Sequence, residues 1–142
     1  MSRSGADLAL LLLGGFRFMA EAATVQLTTR GYPGVRPAHD FALRAVAAGA
    51  ESVSEVGRRT SVSKQAAAKT VAFLEEGAYV VRSADAPGRR AHLLVTDRGR
   101  ALMHEGEAVF DELRAQWESI VGRDRIADVQ DALQRLLDAD RA

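Results

Sequence analysis

Apolar residues recur at spacings of three and four along most of the chain, which is the period of an amphipathic helix. The first such segment runs from Asp7 to about Thr29, and its Gly14–Gly15 pair is expected to weaken or bend it. A loop rich in Gly and Pro follows, and Pro37 suits the first turn of a second helix that ends near Ala48. Near the carboxyl terminus, apolar stripes over Leu102–Ile120 and Ile126–Leu137 predict two further helices.

The middle of the chain predicts two short helices joined by a tight turn. Ser52 and Glu55 have the spacing of a capping box, so a helix is expected from Ser52 to about Arg59, with Ser54 as the competing cap. Ser63 is a suitable N-cap for a second helix from Lys64 to about Glu76. This order is typical of a helix-turn-helix motif.

After Gly77 the apolar period shortens to that of β-strands. The segments Tyr79–Arg82 and His92–Thr96 are rich in β-prone residues, and the residues between them favour a turn. The pattern predicts a β-hairpin, or wing, after the helix-turn-helix. The expected fold class is therefore mainly α with a small β-hairpin wing, an α+β chain with a winged helix-turn-helix core and additional terminal helices.

Composition adds limits to this picture. The 142 residues fit a single domain, and the absence of cysteine excludes disulfides, thiolate catalysis and a thiol-based redox sensor. The formal net charge is zero, but residues 54–100 carry nine Lys/Arg and five acids while residues 101–142 carry five Arg and ten acids. The basic middle therefore becomes the candidate for an anionic partner.

On a helical wheel, the second short helix has one basic and polar face. Ala67, Thr70, Val71 and Leu74 form its expected buried face, and the opposite face carries Lys64, Gln65, Ala68, Lys69 and Ala72. Lysines reach phosphates or guanine, glutamine can pair with adenine, and alanine allows close approach to thymine methyls. An ordinary solvated helix face is the alternative, and the wheel alone does not separate the two.

The predicted wing carries two arginines, Arg89 and Arg90, after Pro87–Gly88. Arginines on a projecting loop can enter the minor groove of DNA, where the negative potential is strongest. The alternative is an edge hairpin kept soluble by charge. Double-stranded DNA as a partner is favoured because both features belong to one basic segment.

Residues 36–100 resemble the winged helix-turn-helix core of the MarR family (multiple antibiotic resistance regulators). The stretch Val95–Arg100 is the most specific match, with a strand ending in Val-Thr followed by a charged pair and Gly. The other matching stretches are Pro37–Ala45, Ser54–Arg59, Val62–Val71 and Leu74–Glu76.

The resemblance covers nearly the whole chain. It implies one domain over residues 1–142, with a DNA-binding lobe at 36–100 and a helical dimerisation lobe formed by 5–31 and 101–140. It also implies a homodimer in which each subunit presents a recognition helix, Ser63–Glu76, and a wing with Arg90. The expected DNA-binding residues are Ser63, Lys64, Gln65, Ala68, Lys69, Arg89 and Arg90, with Arg58 and Arg59 as candidates for the DNA backbone.

Four features depart from the family pattern. Gly88 occupies the place of an Asp that normally braces the wing, so this brace is expected to be missing. The helix-ending Gly of the family is shifted, since this chain has Gly77–Ala78. Gly57 and Thr60 stand where the family prefers Ala and Leu, so weaker packing is expected in the short helix.

Many MarR-like proteins bind a small, often aromatic or anionic, effector between the two lobes. By position, the candidate effector-pocket residues are Phe16, Arg17, Tyr32, His39, Phe41 and Trp117. The alternative is that the aromatic side chains belong to the core and Arg17 is exposed. No cofactor is expected.

The remaining features predict no further site. The three histidines lack the spacing of metal ligands, and no nucleophile motif or phosphate-binding glycine loop is present, so an enzyme is not expected. The longest apolar run, Leu8 to Phe16, has nine residues, against roughly 18 for a membrane span. Asp7 and Arg17 at its ends disfavour a signal peptide. A cytoplasmic protein with no membrane partner is expected.

Two hypotheses follow from the sequence. The first is a homodimeric, sequence-specific transcriptional regulator, expected to be a repressor, whose DNA binding a small-molecule effector modulates. The second is a protein-interaction module that keeps the winged-helix fold without specific DNA binding, which the zero net charge and the missing wing Asp favour.

Overall fold

The structure, a computed structural model, describes residues 3–84, 88 and 90–141. Six helices and one hairpin follow each other in the order α1 (Gly5–Thr29), α2 (Pro37–Ala47), α3 (Val53–Thr60), α4 (Lys64–Glu76), β1 (Val80–Ser83), β2 (His92–Val95), α5 (Asp97–Val121) and α6 (Arg123–Asp140). The predicted fold class, mainly α with a β-hairpin wing, is confirmed.

Serine and threonine caps set the start of the helices around the helix-turn-helix. The hydroxyl oxygen of Ser52 accepts from the backbone N–H of Glu55, and that of Ser63 accepts from the N–H of Ala66. Thr96 caps α5 by accepting from the N–H of Gly99. Each cap satisfies an amide that the first helical turn leaves without a partner. Ser52 and Ser63 are the caps that the sequence favours.

The wing is an antiparallel pair in which Val80 lies opposite Val95 and Ser83 lies opposite His92. β1 begins and ends one residue later than the sequence predicts, and β2 ends one residue earlier. The N–H of Leu93 also donates to the carbonyl of Glu51, 3.0 Å away, just before α3. This contact fixes the base of the wing to the start of the helix-turn-helix.

The core lies between the helix-turn-helix, the wing and the middle of α5. Its largest fully buried side chains include Leu27 from α1, Leu43 from α2, Leu74 from α4 and Leu102 from α5. Leu93 extends this core into the wing. The helix-turn-helix and the wing therefore share one apolar core with the first and fifth helices.

Arg30 ties the end of α1 to α5 through two ion pairs, and the buried Asp40 carboxylate of α2 lies against α5. Arg30, at the end of α1, donates to Glu105 and Glu112 of α5, both at 2.9 Å. Asp40 of α2 is fully buried and accepts from Arg44 at 2.8 Å, while a Cβ on Gly106 of α5 would lie only 2.8 Å from Asp40 Oδ1. Burial raises the pKa of Asp40, and the Arg44 guanidinium opposes this effect.

The apolar residues of α1 and α6 differ from the rest because most of them are exposed in the single chain. α1 buries Ala23 and Leu27, but Leu11 remains 71% exposed. α6 buries none of its described residues, and Leu136 is 68% exposed. Gly14 and Gly15 do not interrupt α1, which runs as one helix through them.

α1 is also long and apolar enough to cross a membrane, and only 6% of the relevant window is buried in this chain. The uninterrupted apolar run is too short to indicate this, because it ends before Arg17. The helix as a whole meets the criterion because its average composition stays apolar beyond Arg17. The core helix of a soluble protein and an amino-terminal signal sequence meet the same criterion.

Candidate nucleic-acid interface

α4 has one buried face and one exposed polar face, as the helical wheel predicts. Ala67, Val71 and Leu74 are buried, and Thr70 lies at the boundary. The exposed residues of α4 are Lys64, Gln65, Ala66, Ala68, Lys69, Ala72 and Glu76, and its N-cap residue Ser63 is exposed as well. Ser63 uses its oxygen as the helix cap, so its O–H remains a donor toward an external acceptor. The predicted contact residues of this helix therefore share one accessible surface.

The turn between α3 and α4 brings the two helices very close. Ser61 adopts a left-handed conformation with φ 58°, and a Cβ on Gly57 would lie 3.2 Å from the carbonyl oxygen of Val62 and 3.4 Å from Ala67 Cβ. Gly57 therefore permits a tight helix crossing. A Cβ at Gly57 would require the neighbouring atoms to shift by a few tenths of an ångström, and the expectation that this glycine weakens packing stays a prediction.

The wing and the recognition helix meet at a hollow of about 480 Å³. Three cations line it, namely Lys64 of α4, Arg82 of β1 and Arg90 after the wing tip. Glu51 and Glu55 lie on the same wall, and Glu55 accepts from the N–H of Glu51. The hollow joins the start of α4 to the wing and carries both signs of charge.

Arg90 and Gly88 are exposed at the wing, and Gly88 has φ +82°, a conformation that favours glycine. Arg89, the second predicted wing contact, lies outside the described residues. The role of Arg89 in DNA binding therefore stays a prediction.

Arg82 is a residue of this surface that the sequence reasoning missed. Its guanidinium binds the Glu75 carboxylate of α4 through Nε at 3.2 Å and through the terminal nitrogen at 3.0 Å. The pair connects β1 to the end of α4 and so braces the base of the wing. The signal in the sequence was the pair of opposite charges on either side of the Gly77–Ala78 turn.

Arg98 provides a second connection that the sequence analysis did not identify. Its Nε donates to the carbonyl of Gly77 at 2.9 Å, and its guanidinium lies over the ring of Tyr79, 4.7 Å from the centroid. The beginning of α5 is thereby attached to the turn that links α4 to β1.

The two arginines of α3 have different environments, although both are exposed. Arg59 donates to the carbonyl of Ala48 at 2.8 Å, so it stabilises the end of α2. The guanidinium of Arg58 makes no hydrogen bond or ion pair within the described part of the chain. Of the two candidates for the DNA backbone, Arg58 is the one whose charge remains available.

The structure separates the six predicted effector-pocket residues. Phe16 and Phe41 lie together on one cavity, with ring centroids 6.4 Å apart. The others lie elsewhere: Tyr32 is beside Tyr79, Trp117 is beside Phe18, His39 stacks on Phe73 at 3.9 Å, and Arg17 is exposed. None of these four lines that cavity.

His39 has a structural role at the start of α2. Its Nδ1 accepts from the backbone N–H of Arg36 at 2.9 Å, and burial together with the Arg36 charge lowers its pKa. Among residues 3–84, 88 and 90–141, no group of three or more His, Asp or Glu side chains could hold a metal ion.

A helix-turn-helix followed by a two-stranded hairpin defines the class of winged helix-turn-helix proteins. No protein-family model matches the chain, and no curated protein sequence matches it.

Comparison with solved structures identifies the particular fold within this class. A MarR family transcriptional regulator from Rhodococcus sp. RHA1 is similar at a TM-score of 0.77 and 22% identity, over 95% of this chain and 96% of the other. A MarR family protein of Mycobacterium tuberculosis in complex with salicylic acid has a TM-score of 0.71 and 25% identity, over 91% and 95% of the two chains. The same Mycobacterium protein in complex with DNA has a TM-score of 0.70 and 23% identity, over 91% and 96%.

These similarities cover nearly the full length of both chains. The chain therefore has the fold of the MarR family regulators, and the resemblance indicated by its motifs is confirmed in the fold.

Proposed function

We propose that the chain is a sequence-specific transcriptional regulator that binds double-stranded DNA as a homodimer and acts as a repressor. The observation that carries the proposal is the hollow where Lys64 of the recognition helix meets Arg82 and Arg90 of the wing. A helix and a wing that present cations to one side can contact a major groove and the adjacent backbone together.

Four exposed residues of α4 and its cap have roles in this proposal. Lys64, Lys69 and the Ser63 hydroxyl contact phosphates, whereas Gln65 and Ala68 face base edges. Arg90 enters the minor groove or contacts the backbone, and Arg89 is proposed for the same role from the sequence alone. Arg58 is the proposed additional contact to the backbone.

The exposed apolar residues of α1 and α6 support the dimer. A second copy that covers Leu11 and Leu136 would remove from water the side chains that a single chain leaves exposed. We therefore assign residues 5–31 and 101–140 to a dimerisation lobe and 36–100 to the DNA-binding lobe. This pairing also accounts for the apolar character of α1 in a cytoplasmic protein.

A small-molecule effector is part of the proposal. The similar Mycobacterium protein binds salicylic acid, and this chain has a cavity against the inner side of its own recognition helix. A ligand can shift the orientation of that helix only if it binds one arrangement more tightly than another.

The alternative function is a protein-interaction module. The carboxylates of Glu51 and Glu55 favour it, because they lie in the same hollow as the three cations and repel phosphate.

Fluorescence anisotropy distinguishes the two functions. The purified chain is titrated against its own upstream DNA and against a scrambled duplex over a salt series. A regulator binds the upstream DNA alone and tightly, with affinity that falls steeply with salt. Weak and equal binding to both duplexes, followed by failure to select any sequence from random duplexes, would establish the interaction module.

Gln65→Ala adds a test of base readout. We expect this variant to change sequence preference more than non-specific affinity, since glutamine pairs with a base and not with a phosphate. A uniform loss across sequences would exclude base readout by Gln65.

A further inference from the structure

We propose that the cavity behind the recognition helix binds an uncharged aromatic molecule that carries a hydrogen-bonding substituent, and that it rejects organic anions. The inference rests on the proposed regulatory function, because it specifies the chemical class of the effector. It is carried by the composition of the cavity wall.

The cavity has a volume of about 460 Å³, which lies in the range of small-molecule sites. Residues from α1, α2, α3, α4 and the turn before α4 form its wall. Alanines at 38, 42, 66 and 67 leave the space open, and the rings of Phe16 and Phe41 supply flat apolar surface. These surfaces suit an aromatic ring.

Among the residues that the structure describes, no charged side chain lines the cavity. Arg17 follows Phe16 in the sequence, but it is exposed and outside the wall. Arg59 is engaged with the end of α2. A carboxylate would therefore enter without a cation to replace its water, which is strongly unfavourable in an apolar site.

Two hydroxyl groups are the polar side chains of the wall. Thr60 Oγ1 donates to the carbonyl of Val56 at 2.7 Å, so its proton is already used. The Thr70 hydroxyl makes no hydrogen bond within the described part of the chain. One neutral donor or acceptor on the ligand can therefore be satisfied by Thr70.

The position of Thr70 couples the cavity to DNA. Ala66 and Thr70 belong to α4, the helix that presents Gln65 and Lys69 on its exposed surface. A ligand in the cavity thus touches the recognition helix directly. Linkage requires that ligand and operator change each other's affinity by the same factor.

Salicylamide and salicylate test the class of ligand, because the two molecules have nearly the same shape and differ in charge. Isothermal titration calorimetry should show salicylamide binding at least about tenfold more tightly than salicylate. Ala38→Phe places a ring at the rim of the cavity and should abolish this binding. Ala47→Phe is the matched control, since Ala47 is equally exposed on α2 but does not line the cavity.

Ala38→Arg provides the opposite change. A cation at the rim should let salicylate bind at least about as tightly as salicylamide. Circular dichroism of every variant establishes that the fold is retained.

Equal or tighter binding of salicylate to the unmodified chain would overturn the proposal. Absence of salicylamide binding at millimolar concentration, or binding that Ala38→Phe leaves unchanged, would overturn it as well. Operator affinity of the ligand-free chain is measured on the same samples. If the chain binds its operator but not salicylamide, only this inference is refuted. If the chain binds no operator, the proposed function is refuted.

Discussion

Replacing Gly99 with alanine tests the packing that attaches α5 to the wing. Gly99 lies in the first turn of α5, where a Cβ would be 2.2 Å from the carbonyl oxygen of Tyr79 and 2.8 Å from a methyl carbon of Val95. The first of these neighbours is backbone, so it cannot move aside by changing a rotamer. The substitution must displace α5 or the start of β1.

The expected cost follows from three contributions. Overpacking of a buried site costs about 1–3 kcal/mol. The Tyr79 carbonyl also accepts from the backbone N–H of Thr96 at 3.1 Å, and this bond contributes roughly 1 kcal/mol. Alanine in a helix is more favourable than glycine by about 1 kcal/mol, which offsets part of the cost. We expect Gly99→Ala to lower the free energy of unfolding by about 1–3 kcal/mol.

Urea unfolding followed by circular dichroism measures this change, at one fixed protein concentration because association shifts the midpoint. Gly14→Ala is the control, since nothing lies within 4 Å of a Cβ at that position in the chain. It should stabilise by about 0.5–1 kcal/mol. A Gly99→Ala protein within about 0.5 kcal/mol of the unmodified chain would refute the close approach of α5 to Tyr79.

Three other predictions address the surface, the dimer and pH. Arg90→Ala should weaken operator binding and reduce the slope of log affinity against log salt by about 1, and an unchanged slope would exclude a contact of Arg90 with phosphate. Leu136→Glu should convert the dimer into monomer in sedimentation experiments, since it places a charge on the exposed apolar side of α6; a persistent dimer would exclude α6 from the interface. Folding lowers the pKa of His39, so the folded state favours the neutral imidazole. This contribution to the free energy of unfolding is complete above the unfolded pKa of about 6.5. It is lost as the pH falls through the lower pKa of the folded state. Urea titrations should show this loss, and His39→Gln should reduce it.

The sequence predicted the helix-turn-helix closely because its signals are local. Ser63 and Lys64–Glu76 form a capped helix with the expected bounds, and Thr96 caps α5 as its motif indicates. Capping and helical period depend on residues only a few positions apart, so they are visible without tertiary structure. The exposed surface of α4 was predictable for the same reason.

Contacts between distant segments were not predictable from local patterns. The pair of Arg82 with Glu75 and the burial of Asp40 against Gly106 depend on how helices cross. The effector residues show the same limit, since Phe16 and Phe41 meet at one cavity whereas Trp117 lies beside Phe18. An apolar stripe likewise predicts that one face of a helix is covered, but it does not say which molecule covers it. α1 shows this, because most of its apolar residues are exposed in the single chain.

The exposure of α6 has a consequence for the lifetime of the protein in the cell. A helix of 18 residues that buries none of them gains little from its own chain, and isolated helices of that length are only marginally stable in water. Unpaired subunits would therefore open at this end more often than paired ones and present their backbone to proteases. If two copies cover α6, degradation removes unpaired subunits first, and the amount of regulator depends steeply on its rate of synthesis.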